Sequence, residues 1–428
     1  MTKPPRVLIC GTGSGAHALA AIASRNGCEV CVLSQSAEKA LRWTESLQLQ
    51  PLTVIGRNGD GAWSANSFRV THDPTVAARG CDLIIFAVPT FSHERYLELL
   101  RPEIKDGCVI VGLPGQNGFE FEVRHTLGPK LRNCAVINFE SLPWSCRVVE
   151  FGATVRVNGT KKTLVGAVQG ELPKLRVNRV LQTLQSVLGE FPKLILSGHL
   201  LGINLMSLNA YSHPPIMYGR WKDWDGKPLD HEPLFFQGVD ENTAALLEKI
   251  SDEVVAISRR IMAEYSDIDL SQVIPMYKWD IAHYGDQIAD KTNLMTALRT
   301  NALYQGRTHP MVQTGNGQYI PDFKHRFLLE DIPCLAVIRG IAEIAGVETL
   351  NLDTVLLWGQ EKLNKEYLVG SRLIGKDLAT TRCPQRYGIT SMEELLGCMD
   401  QAPRAIAMSA AISNASVAAR SEVMSELS

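Results

Sequence analysis

A short apolar run, Arg6-Val7-Leu8-Ile9-Cys10, passes directly into Gly11-Thr12-Gly13-Ser14-Gly15-Ala16 and then into a stretch of helical period ending near Ser24. Strand, glycine turn and helix in that order leave few folds open. Gly11 permits a tight turn, Gly13 has no Cβ to hold a neighbour away, and Ala16, where a third glycine is usual, lets helix and strand pack closely. The first amides of such a helix point outward at the positive end of its dipole, which suits the turn to phosphate. This is the G-x-G-x-x-G/A arrangement of a dinucleotide-binding βα unit, and Gly13 is where a side chain would most obstruct a pyrophosphate.

A glycine fingerprint alone is weak, because loops collect glycines by chance, so its surroundings decide. A second β-rich run covers Glu29 to Leu33, a third Asp82 to Val88, ending in Pro89, and a fourth Cys108 to Leu113, ending in Pro114-Gly115-Gln116. Fully apolar runs of this length predict buried parallel strands. Helical periods fill the gaps, as in Ala37 to Leu47 and His93 to Leu100, so the expected N-terminal half is an α/β, Rossmann-like, doubly wound parallel sheet with ligands at the carboxyl ends of its strands. The second strand ends in Leu33-Ser34-Gln35-Ser36, with neither the carboxylate that would hold the ribose of NAD nor an arginine for the 2′-phosphate of NADP. From these residues the choice between the two stays open.

Strand-helix alternation persists to about residue 197, through Ala135 to Phe139 and Thr163 to Val168. Beyond His199 the apolar positions recur at helical spacing over Leu200 to Tyr211, Ala244 to Tyr265, Thr292 to Thr300, Pro333 to Ala345 and Thr354 to Leu363. The expected organisation is a dinucleotide-binding domain over 1–198, a mainly α-helical substrate domain over 199–400, and an Ala/Ser-rich tail over 401–428, with chemistry in a cleft between the two domains. Forty-three basic against 45 acidic residues, with no polybasic block, argue against nucleic acid or an anionic membrane as partner. No leader-like segment opens the chain and no apolar run reaches the roughly 20 residues that span a bilayer, so a cytoplasmic protein is expected. The cysteines are scattered and are expected as thiols; Cys28 and Cys31 form a C-x-x-C without a second pair, three apart on a strand and so on opposite faces. No metal site is expected.

Hydride transfer to a carbonyl requires a proton for the developing alkoxide and a cation for a substrate carboxylate. Asn209-Ala-Tyr-Ser-His213-Pro214-Pro215 is expected to end the first helix of the second half, because a residue before proline leaves helical geometry; His213 would then stand at a helix end, facing the cleft, although a surface or capping histidine fits equally. Asp331, two residues before Pro333, has the look of an N-cap, and an aspartate there can also accept a hydrogen bond from a histidine, fixing its tautomer. Arg326 offers the planar fork that binds a carboxylate at two points; the alternative is a surface salt bridge of little worth.

These segments resemble the opine dehydrogenases of marine invertebrates, which reductively condense pyruvate with an amino acid. The likeness runs through VLICGTGSGAH, VGLPGQNGFEFEVR, FESLPWSCRVVEFG, HPPIMYGRW, DWDGKP, PDFKHRFLLEDIP, EKLNKEYLV and TTRCPQRYG, leaving out only the chain after about residue 400. The resemblance implies that His213 acts on the keto group, with Arg326 and Asp331 beside it, and that Trp279 lines the amino-acid site, where a core aromatic is the plainer reading. It implies NADH rather than NADPH as reductant, a monomer, no metal, and a role in regenerating NAD+ during anaerobic glycolysis. On this reading NADH binds over Gly11, Thr12, Gly13, Ser14, Gly15 and Ala16, with Val88, Pro89, Pro114 and Gln116 near the nicotinamide, and pyruvate follows. Glu140, Ser141, Cys146, Met206, Asn209 and Trp279 are the expected substrate-pocket residues. Asn209-Ala-Tyr-Ser-His213 resembles versions belonging to small-amine opines, so alanine, glycine, β-alanine or taurine is favoured over arginine. The rivals are another two-domain dehydrogenase of the 6-phosphogluconate or glycerol-3-phosphate type, which would want a lysine at the proton-transfer position, and a redox sensor that binds NADH without turnover.

Overall fold

The computed structural model describes residues 4–56, 61–169 and 174–399. They fall into two compact units, residues 4–203 with 396–399 and residues 204–395; the division lies between Ile203 and Asn204. The Ala/Ser-rich tail expected over 401–428 lies outside the described residues.

In the first unit the strands are β1 (Arg6–Cys10), β2 (Glu29–Leu33), β3 (Leu52–Ile55), β4 (Trp63–Ala65), β5 (Phe68–Thr71), β6 (Leu83–Phe86), β7 (Val109–Gly112), β8 (Ala135–Phe139), β9 (Trp144–Glu150), β10 (Thr154–Thr160), β11 (Thr163–Gln169) and β12 (Lys193–Leu196). Its helices are α1 (Ser14–Arg25), α2 (Ala37–Leu49), α3 (Pro74–Ala78), α4 (His93–Leu100), α5 (Phe119–Leu127) and α6 (Lys174–Leu188). One sheet has the order β12-β11-β8-β7-β6-β1-β2-β5. From β5 to β8 its neighbours are parallel, and β11 returns antiparallel to β8. Its central strands read as nearly unbroken apolar runs because both faces are covered. Val7 and Ile9 join one core with helix residues Leu19 and Leu184, while Leu8 and Cys10 join another with Leu97 and Phe119. The chain moves from β1 outward to β2 on one side and to β6 on the other, so the strand order reverses between β1 and β6, where a doubly wound sheet opens a crevice for ligands.

The same two cores separate Cys28 from Cys31, and both are free thiols. What the periodicity did not predict is a second sheet of order β4-β3-β10-β9. Its strands are short or, like Trp144–Glu150 with the pattern buried-exposed-half-exposed, covered on one side only, so charged residues interrupt the apolar signal.

Helix α7 (Leu200–Leu205) crosses the division, and the second unit is chiefly helical: α8 (Leu208–Trp221), α9 (Glu241–Glu264), α10 (Met276–Tyr284), α11 (Leu294–Thr300), α12 (Arg326–Leu329), α13 (Asp331–Ala345), α14 (Leu350–Lys362) and the start of α15 (Met392–Met399), whose residues from Leu396 on belong to the first unit, with one small hairpin of β13 (Met311–Gln313) and β14 (Tyr319–Pro321). The helix expected from Leu200 to Tyr211 is broken after Leu205. The helix expected to end at His213 instead continues through Pro214 and Pro215 to Trp221, and the break falls at Tyr211, with φ −119° and ψ 19°. The prolines are tolerated because they stand in the first turn after that break, where backbone amides have no intrahelical acceptor to lose. His213 therefore starts a helical segment rather than ending one. No helix among the described residues is long and apolar enough to cross a membrane.

Candidate active site

Two groups of residues carry chemistry, one in each unit. In the first unit Gly11 closes β1 with φ +121°, and a Cβ built there would lie 2.4 Å from Val88 Cγ1 and 3.0 Å from the Ala87 carbonyl oxygen. The two strand ends at the reversal of order thus touch only because Gly11 has no side chain. Gly13 is the opposite case: its Cβ would meet no heavy atom within 4 Å. It precedes α1 without any side-chain cap, which leaves the first amides of the helix for an anion. Gly15 lies under Leu142, 3.1 Å from a Cβ built on it, and Ser14 Oγ accepts the Val148 amide at 3.0 Å. Ala16 is fully buried and Thr12 half-buried.

A residue that the sequence reading passed over holds this turn in place. His17 is fully buried, stacked on Trp43 at 3.7 Å. Its Nε2 accepts the Gly152 amide at 3.1 Å, so Nδ1 carries the hydrogen and donates to the Gly13 carbonyl at 2.9 Å. Burial pushes its pKa down to about 4 from 6.5, against the opposing hydrogen bond to Gly13. A buried histidine inside an alanine-rich helix gives no periodic signal of this role.

The turn after β7 is fastened in a comparable way. Asn138, fully buried on β8, accepts the Gly115 amide at 3.0 Å and donates to the Gln116 carbonyl at 3.1 Å. Gln116 is held at φ 62°, a conformation rare outside glycine and asparagine, and follows Pro114, whose bond to Leu113 is cis. Two residues beyond Asn138, Glu140 Oε1 accepts the Val165 amide at 3.2 Å, and Ser141 Oγ accepts from Lys161. Cys146, on β9, is a half-buried thiol pushed up to about 11 by burial. Pro89 is exposed. At the end of β2, Ser36 caps α2 through Lys39 N at 3.2 Å and Gln35 bonds the Ser92 carbonyl, while Arg42 lies over the Phe151 ring at 5.1 Å and beside Glu38. Leu33-Ser34-Gln35-Ser36, the residues of that strand end, include neither a carboxylate nor a cation.

In the second unit His213 Nδ1 and Asp331 Oδ2 are 2.8 Å apart, and both residues are buried, 8% and 5% exposed. The carboxylate can only accept, so Nδ1 carries the hydrogen and Nε2 is left for other chemistry. Asp331 is not the N-cap expected from Pro333: Glu330 precedes the helix and Asp331 is its first residue, its carboxylate spent on the imidazole. Phe327 stacks on His213 at 3.9 Å, with Phe235 and Phe236 edge-on at 5.8 and 6.4 Å. Three rings and one carboxylate hold the imidazole in one orientation. Arg326 adjoins Phe327 in sequence, its guanidinium 5.8 Å from that ring; it is exposed and has no carboxylate partner among the described residues. His325 caps α12, its ring accepting the Phe327 amide at 3.3 Å; burial, then the Arg326 charge, holds it below the usual histidine range.

Trp279 is half-exposed rather than a core aromatic; it stacks on His283 at 3.9 Å and meets Tyr284 edge-on. Tyr284, Tyr304 and Phe236 continue a series of ring contacts toward His213. Met206 is buried at the break before α8, and Asn209 is exposed on α8. Next to Trp279 the sequence reading missed Asp280, a carboxyl 4% exposed, which burial pushes up to about 7. Among the described residues no group of three or more His, Cys, Asp or Glu is placed to hold a metal ion.

Residues 196–363 match the family described as NAD/NADP octopine/nopaline dehydrogenase, alpha-helical domain, and residues 6–113 match that of NADP oxidoreductase, coenzyme F420-dependent. Tauropine dehydrogenase of Arabella iricolor is 44% identical over 396 residues, 91% of this chain and 99% of its own. A solved octopine dehydrogenase structure with NADH and L-arginine has a TM-score of 0.85 at 42% identity, over 92% of this chain and 98% of its own. Another, with NADH and pyruvate, gives 0.82 at 40% with the same coverage.

Proposed function

The chain belongs to the opine dehydrogenase family, and on that premise we propose that it condenses pyruvate reductively with an amino acid, NADH being the reductant. The observation that carries this reading is the buried His213–Asp331 pair at 2.8 Å, with Arg326, which has no carboxylate partner among the described residues, in the same segment as the stacking Phe327. The residues present fit a dinucleotide: Gly13 opens onto free space, no side chain caps α1, and Gly11 lets the β1 and β6 ends meet. The group that binds there supplies the hydride that reduces the imine.

Everything else falls to the chain's own side chains. Arg326 takes the pyruvate carboxylate. His213, its Nδ1 hydrogen held by the Asp331 carboxylate, gives a proton from Nε2 to the keto oxygen as the uncharged amine attacks, and the carbinolamine so formed loses water to the imine. In opine oxidation the same nitrogen takes the proton back. The unit carrying the glycine turn is the dinucleotide-binding domain, and the helical unit is the substrate domain. We further propose that a small amine is preferred over arginine, that NADPH is a poor reductant since Arg42 is engaged with Phe151 and Glu38, and that the protein is a cytoplasmic monomer. The test mixes the protein, NADH and pyruvate with alanine, glycine, β-alanine, taurine or arginine in turn and follows NADH absorbance. Consumption with none of them overturns the reading; equal rates with NADPH overturn the cofactor preference.

Gly13→Val is expected to weaken NADH binding at least about tenfold with the melting temperature unchanged, because the new side chain occupies space that no protein atom fills. Gly11→Ala does the reverse, lowering the melting temperature by forcing a Cβ at φ +121° against Val88. NADH fluorescence titration and thermal unfolding separate the two. Arg326→Met is expected to raise the pyruvate KM roughly ten- to hundredfold, the worth of a charge-assisted hydrogen bond, with NADH affinity held; a parallel loss of both would count against its role.

A further inference from the structure

The loop leaving β8 and the turn between β10 and β11 are sewn together. The Glu140 amide donates to the Val165 carbonyl, the Glu140 carboxylate accepts the Val165 amide in return, and the Lys161 amide donates to the Pro143 carbonyl. Into this frame Lys161 reaches with its ammonium, donating to Ser141 Oγ. The same loop carries Leu142, which covers Gly15 in the glycine turn.

The donors in this group outnumber the acceptors. Ser141 Oγ is occupied as an acceptor by Lys161, so its own O–H must point elsewhere, and no described residue accepts it. Ser141 is the one hydrogen-bond acceptor the described structure gives the Lys161 ammonium. Burial holds that ammonium below the usual lysine range, opposed by the Glu140 carboxylate. A partly desolvated cation and a polarised hydroxyl, both with hydrogens unspent, form a site for an anionic oxygen group.

We propose that Lys161 is a specificity-determining residue of the substrate site, its ammonium and the Ser141 hydroxyl it orients together binding an acid group, carboxylate or sulfonate, of one of the two condensing substrates. The inference rests on the reading of this protein as a pyruvate-condensing enzyme.

The experiment measures separate KM values for pyruvate, for alanine or taurine, and for ethylamine, an amine without an acid group, in the wild type and in Lys161→Met, Lys161→Arg and Ser141→Ala. Lys161→Met is expected to raise the KM of one acid-bearing substrate at least about tenfold, with kcat, NADH affinity and melting temperature little changed. Lys161→Arg should recover part of the loss, and Ser141→Ala should raise the same KM. A rise in the pyruvate KM that persists with ethylamine assigns the site to the keto acid; a rise confined to alanine or taurine and absent for ethylamine assigns it to the amine's acid group. Unchanged KM values in Lys161→Met, or, should that variant unfold, in Ser141→Ala, overturn the proposal while leaving the enzyme's activity established. A wild type that consumes no NADH with any amine overturns instead the reading beneath it.

Discussion

His213→Ala is expected to lower kcat by about 10² to 10⁴, the usual worth of a positioned general acid, while the NADH dissociation constant stays within about twofold. The asymmetry follows from where the residue sits. His213 lies in the helical unit, bonded to Asp331 and stacked on Phe327, and the glycine turn belongs to the other unit. Asp331→Asn should lose a comparable part of the rate, because an amide can donate to Nδ1 and so reverse which ring nitrogen carries the hydrogen. The loss should come with little change in stability, since Asn keeps the shape and one hydrogen bond. Full turnover in His213→Ala would remove the proton donor from the mechanism and with it the strongest support for the function.

Acid is expected to weaken the two units unequally. His17 takes up its proton near 6.5 in the unfolded chain but near 4 in the fold, so between those values the unfolded state holds more protons and stability is lost as the pH falls. Above 6.5 the stabilisation is complete; by pH 4 roughly 3 kcal/mol has gone from the first unit at about 1.4 kcal/mol per pH unit. In the second unit two groups oppose each other. His309, buried with its Nδ1 accepting the Trp221 indole N–H at 3.1 Å, is lowered to about 3 by burial and then by Arg220, and it too destabilises the fold as the pH falls. Asp280 is raised by burial to about 7 from 3.8, so its contribution is present in acid and is lost as the pH rises through 7. The two contributions to the pH slope largely offset each other between pH 4 and 6.5. Urea unfolding from pH 7 to 4 should show the first unit losing stability more steeply than the second. His17→Gln should flatten the first slope and Asp280→Asn should steepen the second. A first-unit transition that does not move with pH would sink the argument.

Several parts of the molecule were legible from local pattern. Arg6–Cys10, Glu29–Leu33 and Ala135–Phe139 occur as strands at the bounds the apolar runs predict, because a strand covered on both faces is apolar along most of its length. The four-stranded sheet was not legible, since β3 and β4 are short and β9 and β10 present charged residues to solvent. At the kink the dipeptide rule misled: proline after His213 predicted a helix end, yet the break at Tyr211 came first and made Pro214 and Pro215 part of a new first turn.

The glycine turn, the parallel sheet and the helical second half are determined by the order of residues along the chain, because turn conformation and the burial of an apolar run are decided within a few neighbours. Which side chains act together belongs to tertiary structure. Asp331 reads locally as a helix cap and becomes the partner of an imidazole 118 positions away; Lys161, in the short link between β10 and β11, becomes the donor to Ser141. A hydrogen bond between distant residues depends on the packing of whole helices and sheets, and no local spacing encodes it.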